Sequence, residues 1–296
     1  MKYEMTTDME PGDKIGIVCC SNAWKKKEEN KLLQLEEIIR KLDLVPVRSP
    51  YIFGRESVES GSDMERAQAL MDFYRDDSVK GIFDISGGDI SNGILPYLDY
   101  GTIGACDKKF WGYSDLSAVI NAIYTKTGKA SVLYQISNFL YEHGPQQQEH
   151  FKDTVLGGGD ALFRFPVTFY QGESMEGVVV GGNVRCFLKL AGTAYFPDLA
   201  DKILLLESLG GTVAHMLTYF SQLKQLGAFE QVRGILLGTF TQMEREKCKP
   251  DVWTLLRRFV DPALPVGRTD FVGHGTDSKA VLVGAYRSFT EGDHIV

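Results

Sequence analysis

Short apolar runs closed by glycine or polar residues alternate with amphipathic stretches through the first half of the chain, and this alternation limits the fold more than any other feature. Lys14–Ser21 (KIGIVCCS) is an apolar run between polar turns, as expected of a buried parallel strand. Over Lys25–Leu44, Leu32, Leu33, Leu35, Ile38, Ile39 and Leu42 share one helical face, with charges opposite. Asp63–Tyr74 repeats the helical pattern after a Ser/Gly-rich turn. Gly81–Ser86 (GIFDIS) is a second apolar run, stopped by Gly87-Gly88. Lys109–Tyr113 reads as a strand and Leu116–Tyr124 as a helix ending before Gly128. Such alternation predicts right-handed βαβ units around a central parallel sheet, an α/β fold.

The pattern changes at Tyr141–Gly159, where His143, Gly144, Pro145, a run of glutamines and Gly157-Gly158-Gly159 have the composition of a linker. A chain of 296 residues accommodates one large or two medium domains. The linker predicts a division into residues 1–150 and 151–296. Beyond it, Gly177–Val180, Lys202–Leu206, Gly234–Phe240 and Ala280–Tyr286 read as strands, and Val213–Leu226 and Val252–Phe259 as helices.

Charge and composition remove several classes of function. Lys and Arg number 32 against 39 Asp and Glu, a formal charge of −7, which argues against binding a nucleic-acid polymer. No run approaches the ~18–20 apolar residues that span a bilayer, so no membrane partner is expected. Met1–Gly12 carries acids and no apolar run, unlike a secretory signal. Cys19, Cys20, Cys106, Cys186 and Cys248 are odd in number without C-x-x-C spacing, which predicts reduced thiols and a cytoplasmic protein.

Gly112-Tyr113-Ser114-Asp115 lies where a strand meets a helix. There a tight turn can expose a serine and aim backbone N–H groups at its neighbourhood, as in a nucleophile elbow. The same residues serve more often as a plain N-cap, and Leu116 departs from the G-x-S-x-G pattern. Gly87-Gly88 ends a strand, so it either lines a site at the C-terminal sheet edge or makes an ordinary tight turn. It belongs to no G-x-G-x-x-G loop. Among the histidines, His215 falls inside a helix, and His143 and His150 fall in the linker, where solvation is expected. His274 sits between glycines in Phe271-Val272-Gly273-His274-Gly275, on a loop that allows close backbone approach. Glu207 closes the run Ile203–Leu206 and puts a carboxylate at the mouth of a strand. No ligand spacing such as H-E-x-x-H occurs, so neither a metal nor another cofactor is indicated. Ser114, Glu207 and His274 follow the order serine, acid, histidine: a serine needs a base, and the base needs a group that fixes its tautomer.

Together these stretches resemble the LD-carboxypeptidase family of serine peptidases, which includes muramoyltetrapeptide carboxypeptidases and the microcin C immunity peptidase. Pro11–Val18 is similar to the family's opening strand, and Gly87–Asn92 through Leu95–Tyr100 to its glycine turn and following segment. Gly112–Asp115 with Asn121–Tyr124 and Thr127-Gly128 is similar to its nucleophile motif and helix. Gly181-Gly182-Asn183, Gly192-Thr193, Pro197-Asp198-Leu199 and Lys202–Glu207 are similar to its second-domain signature, and Gly273-His274-Gly275 to its histidine loop. Cys19-Cys20 replaces a common Ala-Pro. No tryptophan lies between Trp111 and Trp253, where the immunity branch carries one for stacking on a nucleotide. The Gly-Gly-x-x-Ser-Asn form of the turn is nonetheless closer to that branch.

The resemblance implies an amidotransferase-like (Rossmann-like) parallel-sheet domain carrying the nucleophile, a distinct C-terminal α/β domain, and a homodimer. It implies Ser114 as nucleophile, His274 as base and Glu207 as the base's orienting partner, with the N–H groups of Gly88 and Asp115 holding the oxyanion. Gly87, Asn183 and Arg185 are candidates to touch substrate. Arg185 would take a terminal carboxylate, or is a surface charge. The implied activity is cleavage of an amide near a free carboxylate, such as an L,D-bond of a muropeptide. The alternatives are hydrolysis of a peptidyl or aminoacyl nucleotide, and a non-catalytic ligand-binding protein on the same fold.

Overall fold

The computed structural model describes residues 9–54 and 57–292. The apolar run that opens the chain forms β1 (Lys14–Val18), buried between two layers of helix. Helix α1 (Glu29–Lys41), β2 (Val45–Arg48), α2 (Asp63–Arg75), β3 (Val79–Asp84), α3 (Tyr100–Ala105), β4 (Lys109–Gly112), α4 (Ser117–Thr127) and β5 (Ser131–Leu133) follow. Strands β1 to β5 pair in parallel in a sheet ordered β5-β4-β3-β1-β2. Two local devices bound the helices. Ser62 caps α2 reciprocally with Glu65, and Gly128, at φ +72°, ends α4.

The second layered unit contains β6 (Thr168–Gln171), β7 (Ser174–Asn183), α6 (Val184–Leu188), β8 (Lys202–Ser208), α7 (Val213–Gln225), β9 (Gly234–Phe240) and β10 (Val266–Arg268). With β12 (Tyr286–Thr290), its six-stranded sheet runs β12-β7-β8-β9-β10-β6, parallel through β7-β8-β9-β10 with an antiparallel strand at each edge. The chain is therefore α/β throughout, with two sheets dominated by parallel pairing.

Three sequence readings need correction. Tyr141–Gly159 is not a linker, since Gly144–Val155 forms helix α5. Proline is at home in a helix's first turn, and Phe151 and Val155, four apart, anchor the helix on the first sheet's core. A division of the chain at residue 150 passes through this helix. Ala280–Tyr286 is not one strand either. Gly284, at φ +90°, separates β11 (Val281–Val283) from β12 (Tyr286–Thr290). β11 joins the first sheet beside β5, and β12 joins the second beside β7. Finally, the helix expected from Lys25 begins at Glu29, and Leu33 is 49% exposed. β2 was not foreseen, because Pro46 weakens its strand signal and only an edge position tolerates it.

The seam between the sheets is polar at its centre and apolar around it. Asn121 Nδ2 donates to the Ser117 carbonyl (2.7 Å) and to the Gly181 carbonyl of β7 (2.8 Å), while Asn121 Oδ1 accepts from the Gly181 N–H (2.9 Å). Ser117 Oγ accepts from the Asn183 N–H at 2.9 Å. Gly181 and Gly182 adopt φ +102° and +130°, and a Cβ at Gly182 would lie 2.5 Å from Ser117 Oγ. Around these bonds Leu116, Val119 and Ile123 share one apolar cluster with Val179, Leu205 and Val283. Asn121→Ala would strand the Gly181 N–H and C=O in that seam. It should cost about 1–3 kcal/mol, read as a lower denaturant midpoint at unchanged slope. An unmoved midpoint would mean the seam does not rely on Asn121.

Candidate active site

Ser114 occupies the turn between β4 and α4 with φ +55°, the left-handed region that non-glycine residues rarely enter. The following residues form a tight helical turn, 114–116, that runs into α4. Strain of this kind concentrates where a side chain must be held out of the regular path. The glycine turn after β3 lies alongside: a Cβ on Gly87 would meet Ser114 Cβ at 3.9 Å. The Gly87 carbonyl accepts from the Asn22 N–H (3.1 Å), which fixes the planar peptide and directs the Gly88 N–H to the opposite side. Gly88 is at φ +126°, and a Cβ there would come within 2.2 Å of Asn22, so no other residue fits. The Ser114 carbonyl accepts from the Ser117 N–H, which likewise fixes the plane of the Asp115 N–H.

The second sheet supplies the acid and the imidazole. Glu207, fully buried on β8, places Oε2 at 2.8 Å from His274 Nδ1, and its Oε1 accepts from Asn183 Nδ2 at 3.0 Å. With the Nδ1 proton shared to the carboxylate, the neutral ring presents a lone pair at Nε2. Nε2 is buried and has no hydrogen-bond partner among the described residues. An unpartnered buried ring nitrogen is costly and calls for an explanation. The ring meets Tyr113, the neighbour of Ser114, edge-on, with centroids 5.1 Å apart. Burial, and then the Glu207 charge, push the Tyr113 phenol well above its usual range.

The remaining expected residues fall in the same neighbourhood with altered duties. Asn183 was expected at the substrate, but its amide is occupied: Nδ2 holds Glu207, and Oδ1 caps α6 through the Cys186 N–H. Arg185 reaches across from α6, donating to the Gly88 carbonyl (2.9 Å) and pairing with Asp89. The Asp115 carboxylate is buried and accepts from Ser21 Oγ (2.6 Å), the Ser91 N–H (2.9 Å) and the Lys189 ammonium. Burial raises its pKa, yet the bonds from Lys189, Ser21 and Ser91 outweigh that and hold it below the usual range. Beneath the glycine turn, the fully buried Arg66 donates to the Cys20, Gly61 and Ile90 carbonyls. Lys189, Ser21 and Arg66 carried no sequence signal, because their partners lie far off in the chain. His143 and His150 are half-buried rather than solvated in a linker: they contact Thr276 and Lys279. Among the described residues no cluster of three or more His, Cys, Asp or Glu could hold a metal, and no helix is long and apolar enough to cross a membrane.

The two α/β units thus meet where the Glu207–His274 pair packs on Tyr113, the neighbour of Ser114. The chain belongs to the LD-carboxypeptidase family: the N-terminal domain of that family matches residues 15–134, and its C-terminal domain residues 176–288. A probable murein peptide carboxypeptidase of Bacillus subtilis is 26% identical over 298 residues, covering 94% of this chain and 88% of that protein. The microcin C7 self-immunity protein MccF of Escherichia coli is 26% identical over 261 residues, covering 77% and 75%. A solved structure of MccF with glutamyl sulfamoyl guanosine superposes with a TM-score of 0.86 at 21% identity, covering 99% of this chain and 97% of that one. The muramoyltetrapeptide carboxypeptidase of Oxalobacter formigenes superposes at 0.77 and 20% identity, covering 95% and 97%. At such identities these superpositions establish the fold.

The buried Asp115–Lys189 pair sets a pH dependence. A carboxylate with a depressed folded pKa contributes stability in full above its unfolded value, ~4. That stability is lost as pH falls through the lower folded value. Lys189→Met leaves Asp115 without its cation, so stability at neutral pH should drop by on the order of 3 kcal/mol. Its acid loss should also begin at higher pH than in the wild type. Melting temperature against pH for the two proteins checks this, and parallel curves would exclude it.

Proposed function

We propose that this chain is a serine-type carboxypeptidase that hydrolyses an amide next to a free carboxylate, in peptides of the murein kind. The observation that carries this reading is His274: its Nδ1 is held by a buried carboxylate, its ring packs on Tyr113 next to the strained Ser114 turn, and its Nε2 is buried without a partner among the described residues. Ser114 Oγ attacks the scissile carbonyl as His274 Nε2 takes its proton. Glu207 stabilises the imidazolium and keeps the tautomer, and Asn183 keeps the carboxylate in place. The Gly88 and Asp115 N–H groups, each with its peptide plane fixed, receive the oxyanion. His274 then gives its proton to the leaving amine, and an acyl-enzyme remains on Ser114. A water deprotonated by His274 releases the acid and restores the site. Arg185, which bonds Asp89 and the Gly88 carbonyl, exchanges Asp89 for the substrate's terminal carboxylate. The free cysteines suit a reducing compartment, the cytoplasm.

A second reading, cleavage of a peptidyl or aminoacyl nucleotide, is supported by the Gly-Gly-x-x-Ser-Asn turn, whose Ser91 donates both to the Asp115 carboxylate and, through Oγ, to its carbonyl (2.8 Å). Assay of tetrapeptides with L and D terminal residues alongside aminoacyl sulfamoyl nucleotides separates the two. Turnover of peptides alone removes the second reading.

The mechanism predicts that Ser114→Ala and His274→Ala each lower kcat by up to on the order of 10⁶-fold, with the double variant little worse than either. Glu207→Gln should lower it by on the order of 10⁴-fold with the fold intact. If Ser114 were only a helix cap, Ser114→Ala would cost ~0.5–2 kcal/mol of stability and no turnover. Near-wild-type kcat in folded Ser114→Ala would overturn the assignment.

A further inference from the structure

The segment 271–279 that carries His274 contains no helix or strand, and glycines lie on both sides of the histidine. Its near limb is tied to the second sheet, where the Thr239 N–H donates to the Val272 carbonyl (2.8 Å). The segment also closes on itself, through Ser278 Oγ to the Gly273 carbonyl (2.6 Å) and the Lys279 N–H to the Phe271 carbonyl (2.7 Å). Its far limb is met by the first domain, along α5 and the residue that precedes it. His143, Gln147 and His150 recur at i, i+4 and i+7, which places them on one helical face. They engage the far limb in order. His143 Nδ1 lies 2.7 Å from Thr276 Oγ1, Gln147 Nε2 donates to the Ser278 carbonyl (3.1 Å), and His150 Nδ1 lies 2.9 Å from Lys279 Nζ. Gln147 is itself fixed, because its Oε1 accepts from Tyr134 Oη at 2.8 Å, at the end of β5. We propose that this face is a clamp: His143, Gln147 and His150 are positioning residues that hold the 271–279 segment, and with it the His274 imidazole, at the Ser114 turn.

The geometry gives the clamp a chemical signature. An ammonium can only donate, so the His150–Lys279 contact exists only while His150 Nδ1 carries a lone pair. The contact lines a cavity of about 760 Å³ bounded also by Asp153, Asp160, Arg164 and Asp277. Burial, and then the Lys279 charge, push the His150 pKa below the usual imidazole value, while Glu149 and Asp153 on its own helix oppose this. Burial and then Arg164 lower Lys279, opposed by Asp160. A depressed imidazole favours the neutral, accepting form. The contact is therefore complete above ~6.5 and is lost as pH falls through the folded value.

The proposal rests on the peptidase reading only through the consequence for Ser114, and two measurements keep them apart. The first is the rate at which a fluorophosphonate, a serine-directed phosphonylating reagent, labels Ser114. The second is backbone hydrogen exchange over 271–279, which needs no activity. The His143→Ala/His150→Ala double variant removes half-buried side chains and leaves Gln147 in the core. It should label about ten- to a hundredfold more slowly, the penalty of a small misplacement of a reacting group. Exchange should quicken within 271–279. His150→Gln, which offers Lys279 an acceptor that cannot take a proton, should restore the rate lost in His150→Ala and keep it further into acid than the wild type does. Labelling and exchange both equal to wild type in the double variant overturn the clamp, as does a failure of His150→Gln to rescue. If wild-type Ser114 is not labelled at all, the serine-peptidase reading fails, and the exchange measurement alone decides: faster exchange upholds the clamp, unchanged exchange overturns it.

Discussion

The candidate site depends on the contact of Asn121 and Ser117 with the backbone of β7. The serine belongs to one sheet, and the carboxylate and imidazole to the other, so their distances are fixed only as well as the sheets are fixed to each other. Apolar packing brings the sheets together but is non-directional and would tolerate sliding. Directed hydrogen bonds to Gly181 and Asn183 do not. They pin the start of α4, three residues after Ser114, to the end of β7, where the Asn183 side chain grips Glu207. One residue, Asn183, thus bonds α4 through its backbone and Glu207 through its side chain. The glycines at 181 and 182 are the condition for that approach, since any Cβ would meet Leu205 or Ser117.

Buried charge shapes the other wall of the site. Asp84 is raised by burial, yet it accepts from the Cys20 and Ser86 N–H groups and from Ser86 Oγ. Arg66 ties Cys20, Gly61 and Ile90 together from below, and Asp115 with Lys189 does the same from the serine's side. Replacing such groups by apolar ones of equal volume is often neutral or stabilising, so gross stability does not explain them. Their bonds run to the backbone segments that flank Gly87-Gly88 and Ser114. They hold loops that no ladder of strands or helices could hold.

What could be read from the sequence was local. The strand at Lys14, the helix from Asp63, the glycine stop at Gly128 and the turn at Ser114 are written in neighbouring residues, and each lies where its pattern placed it. Glu207 and His274 could be named from their settings at a strand end and between glycines, although their pairing spans 67 residues. What escaped was set by distant partners. α5 looked like a linker because Pro145 and the glutamines hide a helix whose apolar anchors, Phe151 and Val155, need the first sheet's core to make sense. The use of Asn183 on Glu207, and of Lys189 on Asp115, depends on which elements meet, and no spacing along the chain records that.

The course of residues 281–290 has a consequence for how the molecule comes into being. The chain lays β11 along the first sheet, turns at Gly284 and lays β12 along the second, so its last described strands stitch both sheets. A ribosome delivers the N-terminal residues first, and domains generally fold as they emerge. Here the earlier half can collapse around β1, β3 and β4 while its β5 edge still awaits β11, which emerges only after the whole second sheet but its β12 edge. The sheet edges exposed in that interval are what such intermediates risk joining to other chains. Completion of the first sheet and arrival of the histidine loop, which precedes β11 by a few residues, therefore fall at nearly the same moment of synthesis. The growing chain carries an unfinished site until residues 281–290 have been made.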